Sequence, residues 1–168
     1  IESANEAGVA AFKVICNNFY VGENRSMDML EAISKTGKPV IFHSGILWDG
    51  SPSSAYNRPA NWEALLELDG LRFSLAHCSW PWIDECVAVY GKFLNALNSG
   101  KNVEMFVDIT PGTPEIYREE LFKKLFLVNY NNGGTFMEKE KIIAVKRDNL
   151  DRIVEFKTNK NNIYNYEM

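Results

Sequence analysis

Four apolar runs in this chain each end in a chemically active side chain, and they recur at a near-constant step. The runs end at Lys13, His43, His77 and Asp108, so the intervals are 30, 34 and 31 residues. A strand, a turn and a helix together occupy about 30 residues, and right-handed crossovers make successive strands parallel. The spacing therefore predicts an α/β chain in which four parallel strands deliver these four groups to one end of a single sheet. Parallel α/β sheets and barrels build their sites at that end.

The segments between the runs read as helices. Residues 1–7 look like the end of a helix closed by Gly8. Ser26 is placed to cap a helix that presents Met27, Leu30 and Ile33 on one face and stops at Gly37. Pro59 suits the first position of a helix reaching Leu68, with Gly70 as its stop. Further helices are expected over 81–97 and 114–127, and strands over 10–15, 39–43, 71–76 and 103–109. The segment 44–58 is a long polar loop. After Leu127 the pattern weakens: 142–145 and 151–156 are candidate strands, and the Asn-rich tail from Asn159 reads as solvated. The whole, 1–168, is read as a single domain with a less regular part over 128–168.

Composition narrows the function classes. Hydrophobic residues make up 46% of the 168, enough for a sizeable core, and the net charge is −4 with no basic stretch, which argues against a nucleic-acid partner. No apolar run approaches the ~20 residues of a membrane span. The polar start, Ile1-Glu-Ser-Ala-Asn-Glu6, is not a signal peptide. The three cysteines, Cys16, Cys78 and Cys86, form no C-x-x-C pair and read as reduced thiols of a cytoplasmic protein. The chain opens without Met and directly in a helical pattern, so a piece of a longer polypeptide is expected.

His43 and His77 are the only histidines. Neutral imidazole is the commonest metal ligand, so both are candidate metal ligands, set against the plainer reading of a histidine that caps a strand. Gly45, in His43-Ser44-Gly45, permits a sharp turn after the strand. Cys78 is a weak third ligand, since it follows His77 directly and an extended strand would turn it to the opposite side. Asp108 is a candidate general base or partner of an imidazole. Lys13 is a candidate substrate-carboxylate group, or an amine whose pKa burial depresses. Trp48, Asp49, Tyr56 and Arg58 could cover the site, and Arg58 would suit a carboxylate through its planar fork. Trp80 and Trp82 read chiefly as packing at a helix start. There is no phosphate loop, no dinucleotide glycine pattern and no G-x-S-x-G elbow.

Four segments, Gly8-Val-Ala-Ala-Phe-Lys13, Gly37-Lys-Pro-Val-Ile-Phe-His-Ser-Gly45, Leu75-Ala-His-Cys78 and Phe106-Val-Asp-Ile-Thr110, resemble consecutive strands of the amidohydrolase superfamily. The nearest resemblance is to its amidohydrolase-related branch of metal-dependent hydrolases and non-oxidative decarboxylases. It covers roughly residues 1–127. It implies a TIM-type (β/α)₈ barrel, present in part, from about the fourth to the eighth strand. It implies that His43 is a metal ligand, and that His77 is a ligand or the acid/base group beside a zinc-type ion. The family's His-x-His pair is absent, and the best match to its eighth strand is Arg152-Ile-Val-Glu-Phe-Lys-Thr-Asn159, with Asn159 where the family has an aspartate. A complete barrel usually needs ~250 residues. A partial one leaves an open sheet face and edges, so a homo-oligomer or association with the missing part is expected. The expected function is hydrolysis of an amide- or ester-type bond of a small molecule by metal-activated water. The alternatives are non-oxidative decarboxylation, or a degenerate barrel that binds a small molecule or protein without catalysis.

Overall fold

A computed structural model describes residues 1–109, 112, 114–118, 121, 123 and 124, and the backbone of 142–147, 153–158 and 163–165. The chain divides into two compact units, Ile1–Asn132 and Gly133–Met168.

The first unit is a four-stranded parallel sheet with its strands in chain order: β1 (Phe12–Val14), β2 (Val40–Phe42), β3 (Arg72–Leu75) and β4 (Glu104–Val107). Lys13, Ile41, Ser74 and Phe106 lie level with one another. One residue further on, β2 ends and His43 follows, β3 runs into Ala76 and His77, and β4 reaches Asp108. The repeated βα step thus brings the four groups to one rim of one sheet.

Strand side chains alternate between two faces. The face of Val40, Phe42, Phe73, Leu75 and Met105 is buried, 5% exposed or less. It packs beneath α2 (Asn24–Ser34), a 3₁₀ segment over Pro59–Glu67, and α3 (Ile83–Asn98). Edge-to-face rings run through this layer: Phe42 against Trp62 at 5.7 Å, Phe42 against Phe73 at 5.9 Å, and Phe73 against Phe93 at 5.1 Å. Burying one such ring contributes about 1.5–3 kcal/mol, with a further ~0.5–1.5 kcal/mol from edge-to-face geometry. The opposite face is open: Lys13 is exposed, as are Ile15 (45%), Ile41 (37%) and Phe106 (51%).

Several local expectations change. A short helix, α1 (Glu2–Glu6), opens the unit as anticipated, and Gly8 follows it at φ 80°. Ser26 does not cap α2. The helix begins three residues earlier behind Glu23, whose carboxylate accepts the Tyr20 N–H at 2.8 Å, and Ser26 is buried in the first turn. The segment after Pro59 winds as a 3₁₀ helix rather than an α-helix, with Trp62 and Leu65 turned into the core. Of the expected 114–127 helix, residues 115–118, 121, 123 and 124 are described, and they are helical.

The second unit contains an antiparallel sheet, β5 (Ile142–Arg147), β6 (Ile153–Thr158) and β7 (Ile163–Asn165), with β6 in the middle. This corrects the eighth-strand match. A barrel strand would run parallel to its neighbours, whereas β6 is antiparallel to both of its own, in a sheet of its own. Asn159 lies outside the described residues. The tail expected to be solvated contains β7.

Candidate active site

The loops that follow β2 and β3 are locked together, and each holds one histidine. After β3 the backbone enters the left-handed region for three successive non-glycine residues, His77 (φ 59°), Cys78 (φ 45°) and Ser79 (φ 56°). This conformation costs an L-residue roughly 1–2 kcal/mol, so the surroundings must hold it. They do so from three strands. The Cys78 N–H donates to the Asp108 carbonyl beyond β4 at 2.7 Å, and the Trp80 N–H closes the turn onto the His77 carbonyl at 3.0 Å. From the β2 loop, Ser44 Oγ donates to Ser79 Oγ at 2.7 Å, and the Ile46 N–H donates to the Trp80 carbonyl at 3.1 Å.

Gly45 makes that docking possible. Its φ is +101°, and a Cβ there would lie 2.2 Å from the Trp80 carbonyl oxygen. Asn57 anchors the same loop from below. It is fully buried, its side-chain amide donates to the Cys16 and Ser53 carbonyls at 2.7 and 3.0 Å, and its own carbonyl accepts the Gly45 N–H at 3.1 Å. Gly112, beyond β4, lies against the His77 ring so closely that a Cβ would sit 2.3 Å from Nδ1.

The outcome is a pair of imidazoles with ring centroids 5.6 Å apart, inclined at 62°. Burial holds His43 below the ordinary histidine value, reinforced by the neighbouring His77 and by the Lys13 cation. A hydrogen bond to the Ile46 backbone opposes this by favouring the protonated ring, so His43 is the donor there. Its Nε2 is buried with no hydrogen-bond partner. In the neutral ring that nitrogen can present a lone pair. Lys13 acts on the same site. Burial lowers its pKa, and the Asp108 carboxylate partly restores it. Lys13, His43, His77 and Asp108 thus form one electrostatic group.

Most of the remaining candidates have partners of their own, and Asp49 also favours the charged form of His43. Arg58 is engaged by Glu85 at the start of α3 and stands 4.6 Å from the centroid of the Trp82 ring. Glu85 also accepts the Ala60 N–H at 3.0 Å. Trp48 is 85% exposed. The Asp49 carboxylate accepts bonds from the Ser51 N–H, the Ser51 hydroxyl and the Ser53 hydroxyl, which hold it below the usual carboxylate range. Tyr56 packs edge-on against Tyr20 at 4.8 Å, and Trp80 lies 5.8 Å from Tyr117. Cys78 is buried in thiol contact with Cys86, and that hydrogen bond together with burial drives its pKa up.

A catalytic zinc takes three protein ligands. Among the described residues no three His, Cys, Asp or Glu side chains converge. The buried lone pair on His43 suits a cation, but Cys78 is committed to Cys86 and Lys13 brings positive charge. These residues alone do not complete a zinc site.

Sequence reading passed over Ser44, Ser79, Asn57 and Gly112 as parts of the site. Only Gly45, next to a histidine at a strand end, gave a signal.

No family model matches the chain, and no curated protein matches it. A solved structure of an uncharacterized TIM-barrel protein from Bordetella bronchiseptica is similar at 16% identity and a TM-score of 0.43, over 79% of this chain. The chain spans 58% of that protein's length. Among the described residues, no helix is long and apolar enough to cross a membrane.

Proposed function

We propose that this chain is part of a TIM-type barrel and supplies an acid–base site for hydrolysis of an amide- or ester-type bond in a small molecule, as its resemblance to the amidohydrolase superfamily implies. The observation that supports it is the His43–His77 pair, 5.6 Å apart at the rim where parallel α/β folds build their sites. Two residues have definable roles. His43, kept neutral by burial, offers its unpartnered Nε2 as a ligand or hydrogen-bonding group beside His77. Lys13 can hold a substrate carboxylate or a developing oxyanion. His77 and Asp108 would be the acid/base residues.

The second reading is a binding site without turnover, favoured by the lack of a third metal donor among the described residues. Hydrolysis of an activated aryl ester by the full chain, with and without added zinc, separates the two. General acid–base catalysis is worth ~10²–10⁴-fold, so His43→Ala and His77→Ala should each cost at least tenfold. A rate equal to buffer for wild type and both variants would remove the hydrolase reading.

A further inference from the structure

We propose that the cleft at the N-terminus of α2 is a second binding site, built for the phosphate group of a small hydroxylated ester. It shares no residue with the histidine pair and goes beyond the hydrolase reading.

The cleft has a volume of about 670 Å³ and is lined by Asn18, Phe19, Glu23, Arg25, Ser26 and Met29. The chain reaches it directly after β1, so it belongs to the carboxyl end of the parallel sheet, where α/β folds receive their ligands. Its loop is held in place before any ligand arrives. Val21 is fully buried, the Cys16 carbonyl accepts the Asn57 amide at 2.7 Å, and Tyr20 packs on Tyr56 at 4.8 Å. Binding there orders little, which favours affinity.

Two independent features mark an anion site. The first is the helix end. α2 spans 11 residues, its N-cap Glu23 makes no capping bond, and its first turn holds no acidic residue. The Glu23 carboxylate is turned back onto the Tyr20 N–H. Among the described residues the Asn24 and Arg25 N–H groups therefore have no acceptor, and they sit at the positive end of the helix dipole. The second feature is Ser26, on the wall of the cleft and only 7% exposed. A helical serine can return its hydroxyl to a carbonyl one turn back, as Ser34 does to Glu31. The Ser26 hydroxyl makes no such bond and has no partner among the described residues. A ligand oxygen beside it would satisfy a hydroxyl that is otherwise costly to bury.

Arg25 supplies the positive charge. Its guanidinium carries no ion pair among the described residues, and its planar fork suits two phosphate oxygens. Glu23 sets the rest of the ligand. A carboxylate repels a bare anion but accepts a hydroxyl hydrogen, and Phe19 and Met29 offer an apolar wall to a carbon frame. The combination fits a phosphate ester with a free hydroxyl better than it fits inorganic phosphate.

The test is amide NMR of the full chain titrated with glycerol phosphate and, separately, with inorganic phosphate at the same ionic strength. Saturable shifts of the Asn24, Arg25 and Ser26 amides are expected, with the ester bound more tightly. Arg25→Ala, at an exposed position, should weaken ester binding roughly tenfold or more, the worth of a charge-assisted hydrogen bond, while circular dichroism is kept. Ser26→Ala should also weaken it without loss of stability, because the hydroxyl has no partner in the free protein. Glu23→Gln should narrow the preference for the ester by admitting inorganic phosphate. No saturable shift with either ligand overturns the proposal. So do shifts that Arg25→Ala leaves unchanged, which would mark a general attraction of anions to the surface, and so does tighter binding of inorganic phosphate. Ester hydrolysis by the His43–His77 pair should be the same in Arg25→Ala as in wild type, so the two sites fail separately.

Discussion

Substituting Gly45 by alanine should reveal how the two histidine loops are held together. The new methyl group would lie 2.2 Å from the Trp80 carbonyl oxygen and 3.1 Å from the Ser79 carbonyl carbon, both backbone atoms that cannot swing aside. Two costs add. The φ of +101° is foreign to an L-residue and costs about 1–3 kcal/mol. Separating the loops also breaks the Ile46 N–H bond to Trp80, worth about 1 kcal/mol net. The sum is roughly 3 kcal/mol, a large part of the ~5–15 kcal/mol that keeps a domain folded. Gly50→Ala is the internal control. Its φ is +73°, but nothing lies within 4 Å of the added carbon, so only the backbone cost of roughly 1–2 kcal/mol applies. Urea unfolding reads the difference. With a slope of about 1–3 kcal/mol per molar, Gly45→Ala should unfold about 1–3 M earlier than wild type and clearly earlier than Gly50→Ala. Equal midpoints for the two variants would refute the argument that the loops meet at Gly45.

Other expectations follow from the same contacts. His43 should titrate below the usual 6.5, because burial, His77 and Lys13 all oppose its charged form. The unfolded chain then binds more protons, so stability is full above about pH 6.5 and is lost as pH falls toward the lowered folded value; urea midpoints across that window, flattened in His43→Gln, check the sign. Ser44→Ala and Ser79→Ala should each cost about 0.5–1.5 kcal/mol by removing their mutual hydrogen bond, and the double variant should cost less than their sum, as a double-mutant cycle would measure. Arg58→Ala should cost no more than about 1 kcal/mol, since its pair with Glu85 is partly exposed, and ester hydrolysis should be unchanged. Cys16, its pKa raised to about 12 by burial, and Cys78, also raised, should resist alkylation at mildly alkaline pH until urea is added.

The sheet was legible because its signal is long-range and periodic. Intervals of 30, 34 and 31 residues bring His43 and Asp108 level, with His77 one residue beyond and Lys13 two residues short, and each apolar run lies on a strand of the parallel sheet. The turn at His77 was not legible. Three consecutive left-handed residues with no glycine among them follow no local preference; they exist because Asp108, Ser44 and Ile46 hold them from other loops. Arg58 read as a substrate group because the sequence does not show that Glu85, 27 residues later, returns beside it at the start of α3. Gly112 looks like any loop glycine until the His77 ring is laid against it. Likewise, the short apolar run at Ile153–Thr158 does not reveal its direction. Only the pairing with β5 and β7 shows it to be antiparallel.

The site requires two rings to meet at one rim, and the chain offers a direct way to see them. It contains two histidines and no others, so histidine-selective isotope labelling yields two ring spin systems without overlap. With centroids 5.6 Å apart, the His43 and His77 ring protons should show a nuclear Overhauser cross-peak to each other in the folded chain, lost in urea. Two resolved, folded ring systems with no cross-peak between them would contradict the site.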